Sequence, residues 1–119
     1  MTWNLDKNKA LCPQICQQLC ARIATGGIQP GEKLMSVREV AVAAGVNPNT
    51  VQSAFNQLEQ QGVLYSVRGA GWYANPDITA ARELREKLVQ EKTAAFFAEL
   101  AAMGISPAET KQIVEEWQV

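Results

Sequence analysis

Four consecutive residues, Gly45-Val46-Asn47-Pro48, constrain this chain more than any other feature. Gly45 suits the left-handed conformation that ends a helix, Asn47 is an N-cap residue, and Pro48 fits the first position of the next helix, where its missing N–H breaks no helical hydrogen bond. Only Val46 separates the stop from the start, so two helices must meet across a very tight turn. Upstream, Ser36 followed by Glu39 is a capping-box pattern, in which each side chain satisfies an orphan backbone N–H. The first helix of the pair is therefore expected from about Val37 to Ala44, with Val37, Val40 and Ala41 inward. Downstream, Val51, Phe55 and Leu58 recur with helical spacing, and Asn49, Gln52, Ser53, Asn56 and Gln60 take the opposite side until Gly62 closes the helix. Two helices joined by a short turn containing glycine are a helix-turn-helix.

The flanking sequence completes a small domain. From Pro13, apolar residues recur at Ile15, Cys16, Leu19 and Ile23 until Gly26-Gly27 stops the pattern, which reads as a preceding helix. Pro30-Gly31 is a turn signal, and Ile28 and Leu34 on either side can tuck a short extended segment onto the core. After Gly62, the run Val63-Leu64-Tyr65-Ser66-Val67 is β-branched and aromatic, and Gly69-Ala70-Gly71 separates it from Trp72-Tyr73-Ala74. That is a hairpin with Arg68 at its tip. The expected fold is mainly α with a small β-hairpin: a winged helix-turn-helix domain over residues 1–75, then a two-helix C-terminal tail over residues 76–119. The first tail helix, about Thr79 to Met103, carries one stripe of Leu84, Leu88, Ala95 and Ala102 and another of Val89, Phe96, Leu100 and Met103. Gly104 ends it. Ser106-Pro107-Ala108-Glu109 then opens a short last helix with Ile113, Val114 and Trp117 on one face.

Length and charge narrow the function. A chain of 119 residues has room for one modest core, which excludes a large two-domain enzyme. The net charge of -1, taken whole, argues against a nucleic-acid partner. Divided at Asn75-Pro76-Asp77 it reads differently: residues 1–75 carry six basic and four acidic groups, or +2, and residues 76–119 carry five and eight, or -3. No apolar run reaches the roughly 18 residues of a membrane span, and the first seven residues lack a signal peptide's apolar segment, so a cytoplasmic location without membrane association is expected. Histidine is absent, and no nucleophile elbow, phosphate-binding glycine loop or metal-ligand spacing is present. No cofactor is expected, and an enzyme fits worst.

A helix-turn-helix presents the start of its second helix to base edges in the major groove. Here that start supplies Pro48, Asn49, Gln52 and Ser53. The amides match adenine N6 and N7, the hydroxyl is adaptable, and Pro48 offers apolar contact to a thymine methyl. A solvated polar face is the alternative. Arg38 sits in the first turn of its helix, where the positive helix end favours an anion, so phosphate bound with free N–H groups near Ser36 is one reading and pairing with Glu32 or Glu39 the other. Arg68 and Gly69 at the hairpin tip suit entry into a minor groove, the alternative being a plain turn.

These segments together resemble a known family. Ile15 through Ala74 is similar to the winged-helix DNA-binding domain of the GntR family, through Ile23-Ala24-Thr25-Gly26, Ile28-Gln29-Pro30-Gly31-Glu32-Lys33-Leu34, Ser36-Val37-Arg38-Glu39-Val40-Ala41, Gly45-Val46-Asn47-Pro48-Asn49-Thr50-Val51, Leu58-Glu59-Gln60-Gln61-Gly62 and Arg68-Gly69-Ala70-Gly71. The short tail resembles that of the YtrA-like subfamily, whose tail helices dimerise. The resemblance implies DNA contacts at Arg38, Pro48, Asn49, Thr50, Gln52, Arg68 and Gly69, with no enzymatic activity. Pro48 and Gln52 stand where many members carry arginine, which shifts the expectation from guanine contacts toward A·T-leaning recognition. Met35, Cys12 and Trp72 also depart from the family's usual proline, aromatic and threonine, and Trp72 is read as core or wing packing, with a backbone contact as the alternative.

The expected function is a homodimeric, sequence-specific transcriptional regulator, a repressor because the short tail offers little surface for recruiting polymerase. It would read a pseudopalindromic double-stranded operator with residues 48–61 and a wing over 63–74. Leu84, Leu88, Val89, Phe96, Leu100 and Met103 are the candidate dimer contacts. A winged-helix protein-interaction module is the competing class. A small effector has room between tail and winged domain, and nothing in the sequence identifies one. Cys12, Cys16 and Cys20 fall on the side of the first helix that also carries Ile15, Leu19 and Ile23, which favours packing over a thiolate sensor.

Overall fold

The computed structural model describes residues 2–118. Helix α1 runs Leu11–Ala24, starting two residues before Pro13. Proline is tolerated there because the first four N–H groups of a helix have no intrahelical acceptor. Its inward side is Ile15, Leu19, Cys20 and Ile23, all buried. Helix α2 spans Val37–Ala44 with Val40 and Ala41 buried, while Val37, expected inward, is half-buried at the helix's open first position. Helix α3 spans Pro48–Gln60 and buries Val51, Ala54, Phe55 and Leu58. Phe55 is 0% exposed and sits edge-on to Trp72, ring centroids 5.3 Å apart, so truncating Phe55 to alanine would cost about 3–5 kcal/mol.

The hairpin pairs β1, Leu64–Val67, with β2, Gly71–Ala74, in antiparallel register Leu64↔Ala74 through Val67↔Gly71. Val63 stays outside the strand because its N–H returns to the carbonyl of Leu58 at the end of α3. The extended segment anticipated around Pro30-Gly31 lies along the other edge of β2: Leu34 N–H donates to Trp72 O at 2.8 Å, and Ala74 N–H donates to Glu32 O at 2.9 Å. Ile28 and Leu34, on either side of that turn, are buried. Leu64 and Ala74 turn inward from the hairpin, while Tyr65 and Tyr73 stack on its outer face at 5.5 Å.

Asn75 closes this unit. Its N–H and side-chain amide donate to the carbonyls of Val63 and Gly62, and its Oδ1 accepts from Asp77 N–H. Asp77 Oδ1 then accepts from Thr79 N–H at 2.9 Å, an N-cap hydrogen bond that opens helix α4, Ile78–Ala102. Helix α5, Pro107–Glu116, follows with Ser106 Oγ accepting from Glu109 N–H. Trp117, expected on the face of this helix, lies just past its end in extended conformation. The chain divides into two compact units, one ending at Arg85 and the other starting at Glu86, so the division falls within α4. Among the described residues, α4 buries none and α5 buries only Thr110.

Candidate nucleic-acid interface

The start of α2 carries the full capping box. Glu39 N–H donates to Ser36 Oγ at 3.1 Å, and Ser36 N–H donates to Glu39 Oε1 at 3.0 Å. The Ser36 backbone N–H donated to its carboxylate, and then the nearby Ser36 side chain, hold the Glu39 carboxyl below its ordinary range. Glu32 is also engaged, accepting from Gln29 N–H at 3.1 Å. Arg38 is exposed and, among the described residues, has no hydrogen bond or ion pair. Both carboxylates that might have neutralised it are committed to backbone N–H groups, and the guanidinium faces water in the first turn of α2.

The turn has the geometry its sequence demands. Gly45 adopts φ 69° and ψ 39°, the left-handed conformation that favours glycine, and its N–H and that of Val46 both donate to Ala41 O. Asn47 Oδ1 accepts from Asn49 N–H at 2.8 Å, and Pro48 takes the first helical position. Because Val51, Ala54, Phe55 and Leu58 are buried, the helical period leaves Asn49, Gln52, Ser53 and Asn56 exposed and Thr50 half-exposed. Gln52 Nε2 donates to Asn56 Oδ1 at 3.0 Å, one turn along.

At the other end of α3, Glu59 Oε2 accepts from both the N–H and the Oγ of Ser66 on β1. The wing tip is a β-turn closed by Ala70 N–H to Val67 O at 2.9 Å. Gly69 there has φ 80°, which an L side chain rarely adopts, although a Cβ would meet nothing within 4 Å. Arg68 beside it is exposed and, among the described residues, unpaired. The candidate residues therefore sit on three connected elements: α2 leads through three residues into α3, and α3 is fastened to the wing.

Of the cysteines, Cys16 lies between α1 and α3. Cys16 Sγ lies 3.6 Å from Ala54 O, Cys20 is buried, and Cys12 is half-buried. Burial, and then the neighbouring Cys12 and Cys20, push the Cys16 thiol up to about 12, which disfavours the thiolate that metal binding or redox sensing requires. Among the described residues, no cluster of three or more His, Cys, Asp or Glu is placed to hold a metal ion, and no helix is long and apolar enough to cross a membrane.

The segment ahead of α1, to which no sequence pattern assigns a role, is fastened to that helix. Gln14, Gln18 and Arg22, four residues apart on one side of that helix, engage the backbone of Asp6, Asn4 and Thr2. Asp6 N–H donates to Gln14 Oε1 at 2.8 Å, Gln18 Nε2 donates to Asn4 O at 2.7 Å, and the Arg22 guanidinium lies 4.0 Å over the Trp3 ring. Two residues of extended chain rise about 6.6 Å and four residues of helix about 6 Å, so alternate arm residues stay in step with successive helical turns. That matching of periods, hidden in polar residues, was the available signal.

Two helices across a three-residue turn, the second with a polar face outward, followed by a hairpin tied to its far end, define a winged helix-turn-helix protein. The family model described as bacterial regulatory proteins, gntR family, matches residues 11–74, and the chain belongs to that family. The HTH-type transcriptional regulator YhcF of Bacillus subtilis is 32% identical over 104 residues, covering 87% of this chain and 86% of its own length. The HTH-type transcriptional repressor YtrA of the same organism is 31% identical over 104 residues, covering 87% and 80%. Among solved structures, a GntR family transcriptional regulator from Listeria monocytogenes superposes with a TM-score of 0.87 at 32% identity over 96% of this chain and 100% of that one. The DNA-binding domain of AraR in complex with operator ORR3 matches 53% of this chain and 76% of its own, with a TM-score of 0.52 and 32% identity. The family and these relatives are regulators rather than enzymes.

Proposed function

We propose that the chain is a cytoplasmic transcriptional repressor that binds a pseudopalindromic double-stranded DNA operator as a homodimer. The observation that carries the reading is the pairing of an exposed amide-rich face on α3 with two cations, Arg38 and Arg68, that have no protein partner among the described residues. Asn49, Thr50, Gln52 and Ser53, with Pro48, contact base edges; Ser36 and Arg38 take a phosphate; Arg68 and Gly69 enter the minor groove. The operator complex of AraR and the repressor name of YtrA support both the ligand and the direction of control.

In this reading residues 1–75 bind DNA and residues 76–119 hold the dimer together. Val89, Phe96 and Met103 are 55%, 41% and 73% exposed, and Leu84, Leu88 and Leu100 are half-buried. A 25-residue helix with regular apolar stripes and no buried side chain lacks the packing that stabilises helices in water. A second copy supplies it, most simply through a two-fold contact that sets the half-sites about one helical turn or more apart.

Selection of bound sequences from random duplexes, followed by titration over a salt series, tests the proposal. Two inverted half-sites and a log–log salt slope of about -0.9 per neutralised phosphate are expected. Failure to bind duplex DNA at low salt would leave the winged helix as a protein-interaction module.

A further inference from the structure

The family match begins at residue 11, yet the preceding residues are not loosely attached. The arm is laid along α1 by Gln14, Gln18 and Arg22, and Gln14 Nε2 also donates to the carbonyls of Asp6 and Ala10, which shapes the bend into the helix. Asn8 N–H donates to Asp6 Oδ1 and Lys9 N–H to Asp6 O, so the bend is closed from both sides. Lys7 projects from it, and its Nζ donates to the carbonyl of Gly45 at 2.9 Å, a contact across 38 residues of sequence. Gly45 is the hinge of the helix-turn-helix, three residues ahead of Pro48.

This placement has an electrostatic consequence. A lysine ammonium has three N–H donors, and the Gly45 carbonyl uses one. Lys7 is exposed and, among the described residues, has no carboxylate partner. Its charge is thus held, rather than waving on a flexible stem, at the turn from which α3 departs. We infer that Lys7 is a further DNA-backbone contact, positioned by the N-terminal arm beside the leading end of α3, so that the reading surface extends beyond the residues the family match covers. This inference rests on the DNA-binding reading above. Phosphate is the partner that fits: the residues beside this cation are the ones that reading places at base edges, and the strands that carry those bases carry phosphates on either flank.

The test compares the full chain with its Lys7→Gln and Lys7→Arg variants in titrations of a fluorescein-labelled duplex of about 30 base pairs, between about 50 and 200 mM salt. One phosphate contact corresponds to about 0.9 in the log–log slope, so wild type should lose about three- to fourfold more affinity across that range than Lys7→Gln. Lys7→Arg should keep the wild-type slope. A Lys7→Gln slope equal to wild type overturns the inference, and it does so even if affinity falls, since weaker binding at unchanged slope marks a merely structural role for the Gly45 bond. Failure of wild type itself to bind the duplex at the lowest salt would instead overturn the DNA-binding reading on which the inference stands.

Discussion

Glu59 and Ser66 are joined twice: one carboxylate oxygen, Oε2, accepts from the Ser66 N–H at 3.0 Å and from its Oγ at 2.7 Å. The bonds fasten the last turn of α3 to the first strand of the wing. Glu59→Ala should therefore loosen the wing without disturbing the helix-turn-helix, lowering stability by about 1 kcal/mol and weakening DNA binding, whereas Glu59→Gln keeps an acceptor and should retain most of both. Urea denaturation and duplex titration on the same preparations check this.

Ser36→Ala removes the side-chain half of the cap on α2 and should destabilise the protein by about 1 kcal/mol, read from the urea midpoint.

The reciprocal half of that cap makes stability depend on acid. The Glu39 carboxyl is held below its ordinary value by the hydrogen bonds to Ser36, so its contribution is present above the unfolded value of 4.5 and is lost as pH falls through the lower folded value. Glu39→Gln should show a smaller acid-induced drop in urea midpoint than wild type; an equal drop would mean that the cap is not the titrating element.

Cys16 points the other way. Its folded value of about 12 exceeds the ordinary 9.0, so the stabilisation from keeping the thiol protonated is complete below 9.0 and declines as pH climbs toward 12. At pH 8 the Cys16 thiol stays protonated, and alkylation of this site in the folded protein should be far slower than in urea. Mass spectrometry after a timed iodoacetamide pulse gives the ratio.

On the proposed function, Gln52→Ala should relax base preference by about 1–3 kcal/mol at one position per half-site and leave the salt slope unchanged, while Phe96→Glu should weaken the proposed self-association by about thirtyfold or more, the equivalent of roughly 2 kcal/mol. Sequence selection reads the first and sedimentation of the full chain reads the second.

How much of this was legible in the sequence follows from the kind of interaction involved. Ser36, Glu39, Gly45, Asn47 and Pro48 act on backbone groups one to four residues away, so residue type and spacing were enough to place α2, the turn and the start of α3. Val51, Phe55 and Leu58 were equally plain, because burial imposes the helical period. Arg38 was ambiguous until the structure committed Glu32 and Glu39 to backbone N–H groups. The arm left only half a signal, the four-residue spacing of Gln14, Gln18 and Arg22: these side chains recognise carbonyls and N–H groups that every residue has, so no choice of side chain at residues 2, 4 and 6 advertises the match. Lys7 on Gly45 and Glu59 on Ser66 are polar contacts between separate elements, and local patterns say nothing of such pairs.

The division of labour within α3 has a consequence for how such proteins diverge. Four buried residues face the core, and the exposed amides and hydroxyl lie between them on the opposite side of the helix. In the proposed function, folding and target choice are thereby written on interleaved but separate sets of positions. On that reading a duplicated copy of this chain can drift toward a new binding sequence at Asn49, Thr50, Gln52 and Ser53 while its buried set stays intact, and an engineer can randomise the same four sites in one step.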